Sequence, residues 1–587
     1  MKLLLLLLLF SSLVLTETAE VKTSSGIVKN TISYNGVYVW EDIPYAEPPI
    51  GNLRWKSPRK VSNSAQIIKP KTGNFCIQKT SSLGGSSEYS SEIISGTEDC
   101  LYLDIFTPST KSNKPIPVMF WIHGGGNTSG LKDLYDFNKM VKKHEVIVVR
   151  ANYRLGPLGW FYHPAIQNIQ EGLDKTSNFG TLDLIKALEW IKDNIHLFNG
   201  DPNNVTIFGE SAGGHNVYSL MVAPQAEGLF HKAIAMSGYT TSVSQEMAFK
   251  QNKKSFSSNN TSSVIVEKIL KDNNLINTDE TVRHTLLNID AKEFFKYYVN
   301  RPSFEELPLT TSDGIVIPKI GLKNALKDKN YVRNIPIISG SNRDEVKLWL
   351  ATAEYFVELE YSFLGSVLRI PRVSLKDEQA FEAFNYYRSA AWKIRGVDDP
   401  LDGMLRAGNK SIYSYRFDWD DHRKLIIADF KKLIGAAHAT EIPLLAGNEK
   451  LVGGYPLSFF IYPASKSKFF MSRNMMNFWS NFAKNGYPGT STNSIEWKSY
   501  DEDFSFMILD NKKNLKMKSG NNSFKNLSIQ LFEDNRVSDL EKCVILLQMF
   551  TFVGDDIYDE NINYYPGKCN RSKSERFLMD NASYIEY

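Results

Sequence analysis

Six stretches of the chain, residues 117–122, 146–151, 205–208, 232–236, 335–339 and 412–417, are short, mostly apolar and without a regular polar alternation. They are rich in β-branched or aromatic residues and bounded by Gly, Pro or Asn, the pattern of strands buried on both faces. Between some of them the apolar positions recur at helical spacing, most clearly over 182–198, where Asn199-Gly200-Asp201-Pro202 stops the helix. Strands alternating with helices predict an α/β fold with a mostly parallel sheet flanked by helices. No internal repeat or Pro-rich linker divides the chain, so one large domain over residues 20–560 with a polar C-terminal tail over 561–587 is expected. The polar stretch 252–263 reads as an exposed loop.

The N-terminus follows a different pattern. Met1 and Lys2 precede an apolar run to Phe10 that resumes through Leu15, with small and polar residues around Thr18 and Ala19. A basic start and an apolar stretch too short to span a bilayer predict a signal peptide over residues 1–19 and a secreted product without a membrane anchor. Nine Asn-x-Ser/Thr sequons fit that route, although Asn127 and Asn204 flank the motifs described below and are expected to stay unmodified. In an oxidising compartment the four cysteines pair, most simply as Cys76 with Cys100 and Cys543 with Cys569. Neither pair has metal-ligand spacing, and no metal or cofactor is expected. The net charge of +3 over 587 residues, with no block of like charges, argues against nucleic acid as a partner.

Candidate chemistry is concentrated around Gly209-Glu210-Ser211-Ala212-Gly213-Gly214, which follows the expected strand 205–208 and precedes a helix-compatible segment. In that context G-x-S-x-G is a nucleophile elbow, a sharp strand-to-helix turn that exposes the Ser211 hydroxyl above the sheet. Attack on an ester carbonyl places negative charge on its oxygen, and His123-Gly124-Gly125-Gly126, directly after strand 117–122, offers backbone donors for it. The N–H groups of Gly125, Gly126 and Ala212 are the expected oxyanion hole. A serine also needs a base and an acid that orients it. His438, in the small-residue run Gly435-Ala436-Ala437-His438-Ala439, is the candidate base, with His215 the alternative. Asp344 and Glu345, after strand 335–339, are candidate acids that residue chemistry alone does not separate.

Longer motifs carry a resemblance. Ile43-Pro44-Tyr45-Ala46-Glu47-Pro48-Pro49 with Leu53-Arg54-Trp55, Glu98-Asp99-Cys100-Leu101-Tyr102-Leu103-Asp104-Ile105, and Asp201 to Phe208 running into the elbow are similar to the type-B carboxylesterase/cholinesterase family of α/β-hydrolases over most of residues 22–550. The resemblance implies an α/β-hydrolase fold, Glu345 as the acid after Asn342-Arg343-Asp344, His438 as the base, and a Cys76–Cys100 disulfide. Glu210 beside the nucleophile is typical of that family and is expected either to stabilise an imidazolium on His438 or to be structural, and Ser237 either to hydrogen-bond near the triad or to be structural. One departure is Leu184, where the family usually has Gln after Asp183. The implied activity is hydrolysis of a small-molecule carboxylic ester through an acyl-enzyme. The alternative is a non-catalytic adhesion, storage or surface protein on the same scaffold. Cholinesterases place a tryptophan in the loop corresponding to Cys76–Cys100 and a Pro-Trp after the segment matching Ser237-Gly238. Here the first loop has no tryptophan, only Tyr89 in its latter half, and the second segment reads Tyr239-Thr240-Thr241, so an uncharged ester is expected in preference to a choline ester.

Overall fold

All six stretches expected as strands form strands in the computed structural model, and they lie side by side. The structure describes residues 19–32, 36–62, 65–81, 93–110, 112–250, 260–299, 310–361, 371–449, 457–551 and 569–581. Its central sheet has eleven strands, numbered along the chain: β1 Thr31–Ile32, β2 Val37–Pro44, β3 Tyr102–Pro108, β4 Ile116–Ile122, β5 Ile147–Ala151, β6 Gly200–Glu210, β7 Lys232–Met236, β8 Ile337–Asn342, β9 Ile412–Phe417, β10 Phe506–Leu509 and β11 Lys516–Lys518. The spatial order is β11-β10-β9-β8-β7-β6-β4-β5-β3-β2-β1. Every pairing from β10 to β5 is parallel, and the flanking pairs are antiparallel.

Burial explains the lack of alternation. Along β4, Val118, Phe120 and Ile122 enter the apolar cluster on one face of the sheet, while Met119 and Trp121 enter that on the other. At about 1.5–3 kcal/mol for each fully buried large apolar side chain, both faces favour hydrophobic residues. β2 and β3 lack this signature because they carry charge inward. Asp104 on β3 is fully buried, with Lys132 at 2.9 Å and Arg150 at 2.7 Å, and Asp42 on β2 joins the same Lys132 at 2.8 Å.

The helix expected over 182–198 begins earlier, as Phe179–Asn194, and its last turn tightens into the 3-10 segment Ile195–Phe198 before Asn199 takes a left-handed φ of 63°. Gly200 to Pro202, expected as part of the stop, already belong to β6, which shifts register between Gly200 and Val205. Leu184 is fully buried in the first cluster, next to Asp183, whose carboxylate receives Arg154 Nε at 2.8 Å and Nη2 at 2.7 Å. Of the expected loop 252–263, residues 252–259 lie outside the described set, whereas Asn260, Thr261 and Ser262 are buried where helix Ser262–Asp272 begins.

The expected signal peptide lies outside the described residues apart from Ala19. Among the described residues no helix is long and apolar enough to cross a membrane. Both expected disulfides, Cys76–Cys100 and Cys543–Cys569, are present. The second ties down the polar C-terminal segment. Cys569 leads into helix Arg571–Asp580, whose Phe577 meets the edge of Tyr355 at 5.7 Å and, with Leu578, joins a third apolar cluster built on helices Glu378–Lys393 and Asp539–Thr551.

A bridge across 26 residues is worth about 3.5 kcal/mol in the chain-entropy model. Cys543→Ser with Cys569→Ser is therefore expected to release the C-terminal helix without unfolding the sheet. Limited proteolysis checks this: the variant should lose its C-terminal peptide at protease concentrations that leave the parent intact, and equal resistance would refute the strap.

Candidate active site

β6 ends at Glu210 and helix Ala212–Val222 starts at Ala212, which leaves Ser211 alone in the turn with φ 59° and ψ −120°. Such a backbone costs roughly 1–3 kcal/mol and persists only where its surroundings impose it. Here Ser211 N–H donates to Met236 O on β7 at 2.9 Å, and His215 N–H donates to Ser211 O at 2.9 Å. The elbow helix also presses against the end of β4. A Cβ at Gly213 would lie 2.0 Å from Ile122 O, so no side chain fits there. Ser211 itself is half-buried.

The glycine loop sits beside this turn. A Cβ at Gly124 would come within 3.1 Å of Ser211 Cβ, and Gly125 and Gly126 take φ values of 99° and 62°. Thr128 and Ser129 N–H both donate to Gly125 O at 3.0 Å, closing the loop. None of the N–H groups of Gly125, Gly126 and Ala212 donates to an acceptor among the described residues. His123 braces the loop from below. It is buried, stacks on Tyr153 at 4.4 Å, and is pushed by burial down to about 4, hence neutral. Tyr153 Oη donates to His123 O at 2.7 Å. Asn127 is 1% exposed and accepts from Asn216 Nδ2 at 2.8 Å.

The two candidate acids point different ways. Glu345 is fully buried, its Oε2 2.6 Å from His438 Nδ1 and its Oε1 accepting Asn342 N–H at 2.7 Å. Asp344 turns outward to Arg343 Nη2 at 2.6 Å, Asn385 Nδ2 at 2.8 Å and Ala436 N–H at 3.0 Å. Burial raises its pKa, but the Arg343 and Lys347 cations outweigh this and hold it below the usual range. His438 N–H donates to Glu345 O at 3.1 Å, and Asn342 Nδ2 donates to Ala437 O at 2.6 Å, so the end of β8 carries the histidine loop. The alternative base, His215, has both ring nitrogens engaged, with Thr310 Oγ1 at 2.8 Å and Tyr239 O at 2.9 Å, and stacks on Tyr239 at 4.5 Å.

A carboxylate only accepts, so the Glu345 contact places the His438 proton on Nδ1. Nε2 has no hydrogen-bond partner and lies 3.1 Å from Glu210 Oε1. A third buried carboxylate, Glu441, accepts from Asn342 Nδ2 at 2.6 Å. Burial, then the neighbouring carboxylates, pushes Glu441 up to about 8. Burial pushes Glu210 to about 7 against the pull of His438. On His438, burial opposes the charged form, but Glu210 and Glu345 together prevail and raise it to about 9.

The buried Ser237 Oγ has no hydrogen-bond partner among the described residues. Its main chain works instead, with N–H donating to Gly340 O at 2.8 Å and O accepting from Trp392 Nε1 at 3.2 Å. Two tryptophans that the motifs did not single out border the histidine. The rings of Trp349 and Trp392 lie 5.2 Å and 4.8 Å from that of His438 and 6.0 Å from each other. Trp349 stands four residues after Glu345, one helical turn on, which is a readable signal. Trp392 ends helix Glu378–Lys393, whose distance along the chain hides it. Tyr89 lies outside the described residues. Among the described residues no group of three His, Cys, Asp or Glu side chains could hold a metal ion.

Comparison with known proteins places this geometry. A sequence model described as the carboxylesterase family matches residues 12–389 and 394–527. A para-nitrobenzyl esterase of Bacillus subtilis (strain 168) is 31% identical over 509 residues, covering 82% of this chain and 93% of that protein. The medium-chain fatty acyl-CoA hydrolase precursor of Anas platyrhynchos is 30% identical over 546 residues, covering 84% and 89%. Among solved structures, a PNB esterase superposes with a TM-score of 0.66 at 28% identity, covering 85% of this chain and 97% of that one. With the match running nearly end to end and the neighbours sharing the α/β-hydrolase fold, the chain belongs to the carboxylesterase family and is a carboxylic ester hydrolase.

Proposed function

We propose that the chain is a secreted serine esterase in which Ser211 is the nucleophile, His438 the base and Glu345 the acid that orients it. The observation that carries this reading is the 2.6 Å contact from Glu345 to His438 Nδ1, which leaves Nε2 without a hydrogen-bond partner in the loop that faces the elbow. His438 takes the Ser211 proton as Oγ attacks the ester carbonyl. The oxyanion forms against the N–H groups of Gly125, Gly126 and Ala212, each donor of this kind being worth about 3 kcal/mol. The imidazolium then protonates the leaving alcohol, and water deacylates the serine by the same route. Glu210 adds a second carboxylate to the imidazolium. The whole unit extends over residues 20–560 after removal of 1–19, and the exposed Asn521, Asn526 and Asn570 are the sequons best placed for glycan. A non-catalytic scaffold would have no use for a strained serine beside free donors.

Uncharged esters are better substrates than choline esters on this reading. The face of Trp392 already carries the Arg395 guanidinium, 5.8 Å from the ring centroid, which competes with and repels a quaternary ammonium.

Three measurements test the proposal. An organophosphate should label Ser211, and Ser211→Ala should lower ester turnover by roughly 10⁴-fold or more with the fold intact. Label on another residue, or undiminished turnover, would overturn it. Glu210→Gln removes one of the two carboxylates that raise His438. Because the base must be neutral to accept a proton, the acidic limb of the kcat/KM profile should move to lower pH, and a shift the other way would refute the role of Glu210. Finally, kcat/KM for acetylthiocholine should fall below that for a neutral thioester of equal size. A clear preference for the choline compound would contradict the assigned aromatic wall.

A further inference from the structure

Helix Glu378–Lys393 sets Asn385, Arg388, Ser389 and Trp392 along one stripe, at i, i+3, i+4 and i+7. Three of the four serve the site already described. Asn385 Nδ2 holds Asp344 Oδ1 at 2.8 Å, Ser389 Oγ accepts Val346 N–H at 3.3 Å, and Trp392 borders His438. The stripe is therefore the face that grips the Glu345 turn and walls the histidine.

Arg388 lies on this stripe and has no such duty. It is 6% exposed, and its Nη1 is buried without a hydrogen-bond partner. Burial alone acts on its charge, lowering it to about 9 with no carboxylate to compensate, which leaves a cation at neutral pH. A buried charge without a counterion among the described residues is among the costliest features a fold retains, and it points to an anion supplied from elsewhere. A second buried guanidinium, that of Arg395, belongs to the residue three positions after Trp392. Arg395 is 4% exposed and sits over the Trp392 ring. It belongs to the π-helical turn Ile394–Asp398, a distortion common at functional sites because it re-aims the residues around it. That turn is fixed to the elbow helix, where Tyr218 Oη donates to Gly396 O at 2.7 Å, and Trp392 just before it reaches the segment after β7, its Nε1 3.2 Å from both Ser237 O and Gly238 O.

We propose that Arg388, with Arg395 over the Trp392 ring, forms an anion subsite of the ester-binding pocket, so that the preferred substrate is an ester carrying a carboxylate or similar anionic group. The inference rests on the serine-esterase reading and moves the substrate from uncharged to anionic. The anion belongs to the acid part or the alcohol part of the ester, and paired isosteres separate the two. p-Nitrophenyl hydrogen glutarate is compared with p-nitrophenyl valerate, and 4-acetoxybutanoate with butyl acetate. In each pair a carboxylate replaces a methyl group.

In one pair the anionic ester should have the higher kcat/KM, by about tenfold or more as befits a charge-assisted contact, and Arg388→Met should reduce that ratio by a similar factor while Arg388→Lys retains part of it. Neutral esters hydrolysed as fast as or faster than both anionic ones by the parent enzyme would overturn the subsite and leave the esterase reading standing. Calorimetric titration with glutarate tests the subsite without turnover, in the parent and in Ser211→Ala. Binding in both that is abolished by Arg388→Met supports it even if no ester is cleaved, and absence of binding in the parent overturns it.

Discussion

The site depends on how closely three stretches of main chain approach one another. Ser211 holds a left-handed backbone only because its N–H is tied to Met236 on β7 and its helix is pressed against Ile122 at the end of β4. That contact, which excludes any side chain at Gly213, also decides what comes next. The chain leaving Ile122 runs directly into His123 and the glycine loop, so the packing that strains the serine brings three unpaired N–H groups beside it. Conformational strain and electrostatic preorganisation here have one cause.

The second organising feature is charge. One imidazole shares a buried region with Glu210, Glu345 and Glu441, where each charge lacks water to screen it. Glu345 is fixed from both ends, by Asn342 N–H and by His438, whereas Glu210 faces the imidazole from the other edge. Such an arrangement is poorly suited to a neutral ring and well suited to a protonated one. On the proposed mechanism the pocket is tuned to the charge that arises during attack, and burial of the surrounding acids sets the limit on how far that tuning goes.

Much of this was legible in the sequence because the parallel strands bury both faces and so read as unbroken apolar runs. The elbow and the glycine loop follow those runs directly, and His438 follows β9 after an intervening helical segment. β2 and β3 were not legible as strands because Asp42 and Asp104 interrupt them with charges that only the folded chain neutralises through Lys132 and Arg150. Asp344 and Glu345 are adjacent and chemically alike, and only the direction of the turn after β8 tells them apart; the family resemblance had favoured the residue that reaches His438. Trp392 and Arg388 escaped notice because their proximity to the histidine is set by the packing of a long helix, which no local pattern records. At Ser237 the main chain makes the contacts and the hydroxyl makes none among the described residues, in line with the structural one of its two readings.

The order of the strands along the chain has a consequence for biogenesis. The elbow needs only β4, β6 and β7, all made from the first half of the polypeptide, whereas the histidine loop follows β9. On the proposed reading the nascent chain carries the elbow serine before the histidine assigned as its base has been made. Hydrolytic competence is then a late product of assembly, reached only when the segment after β9 has docked.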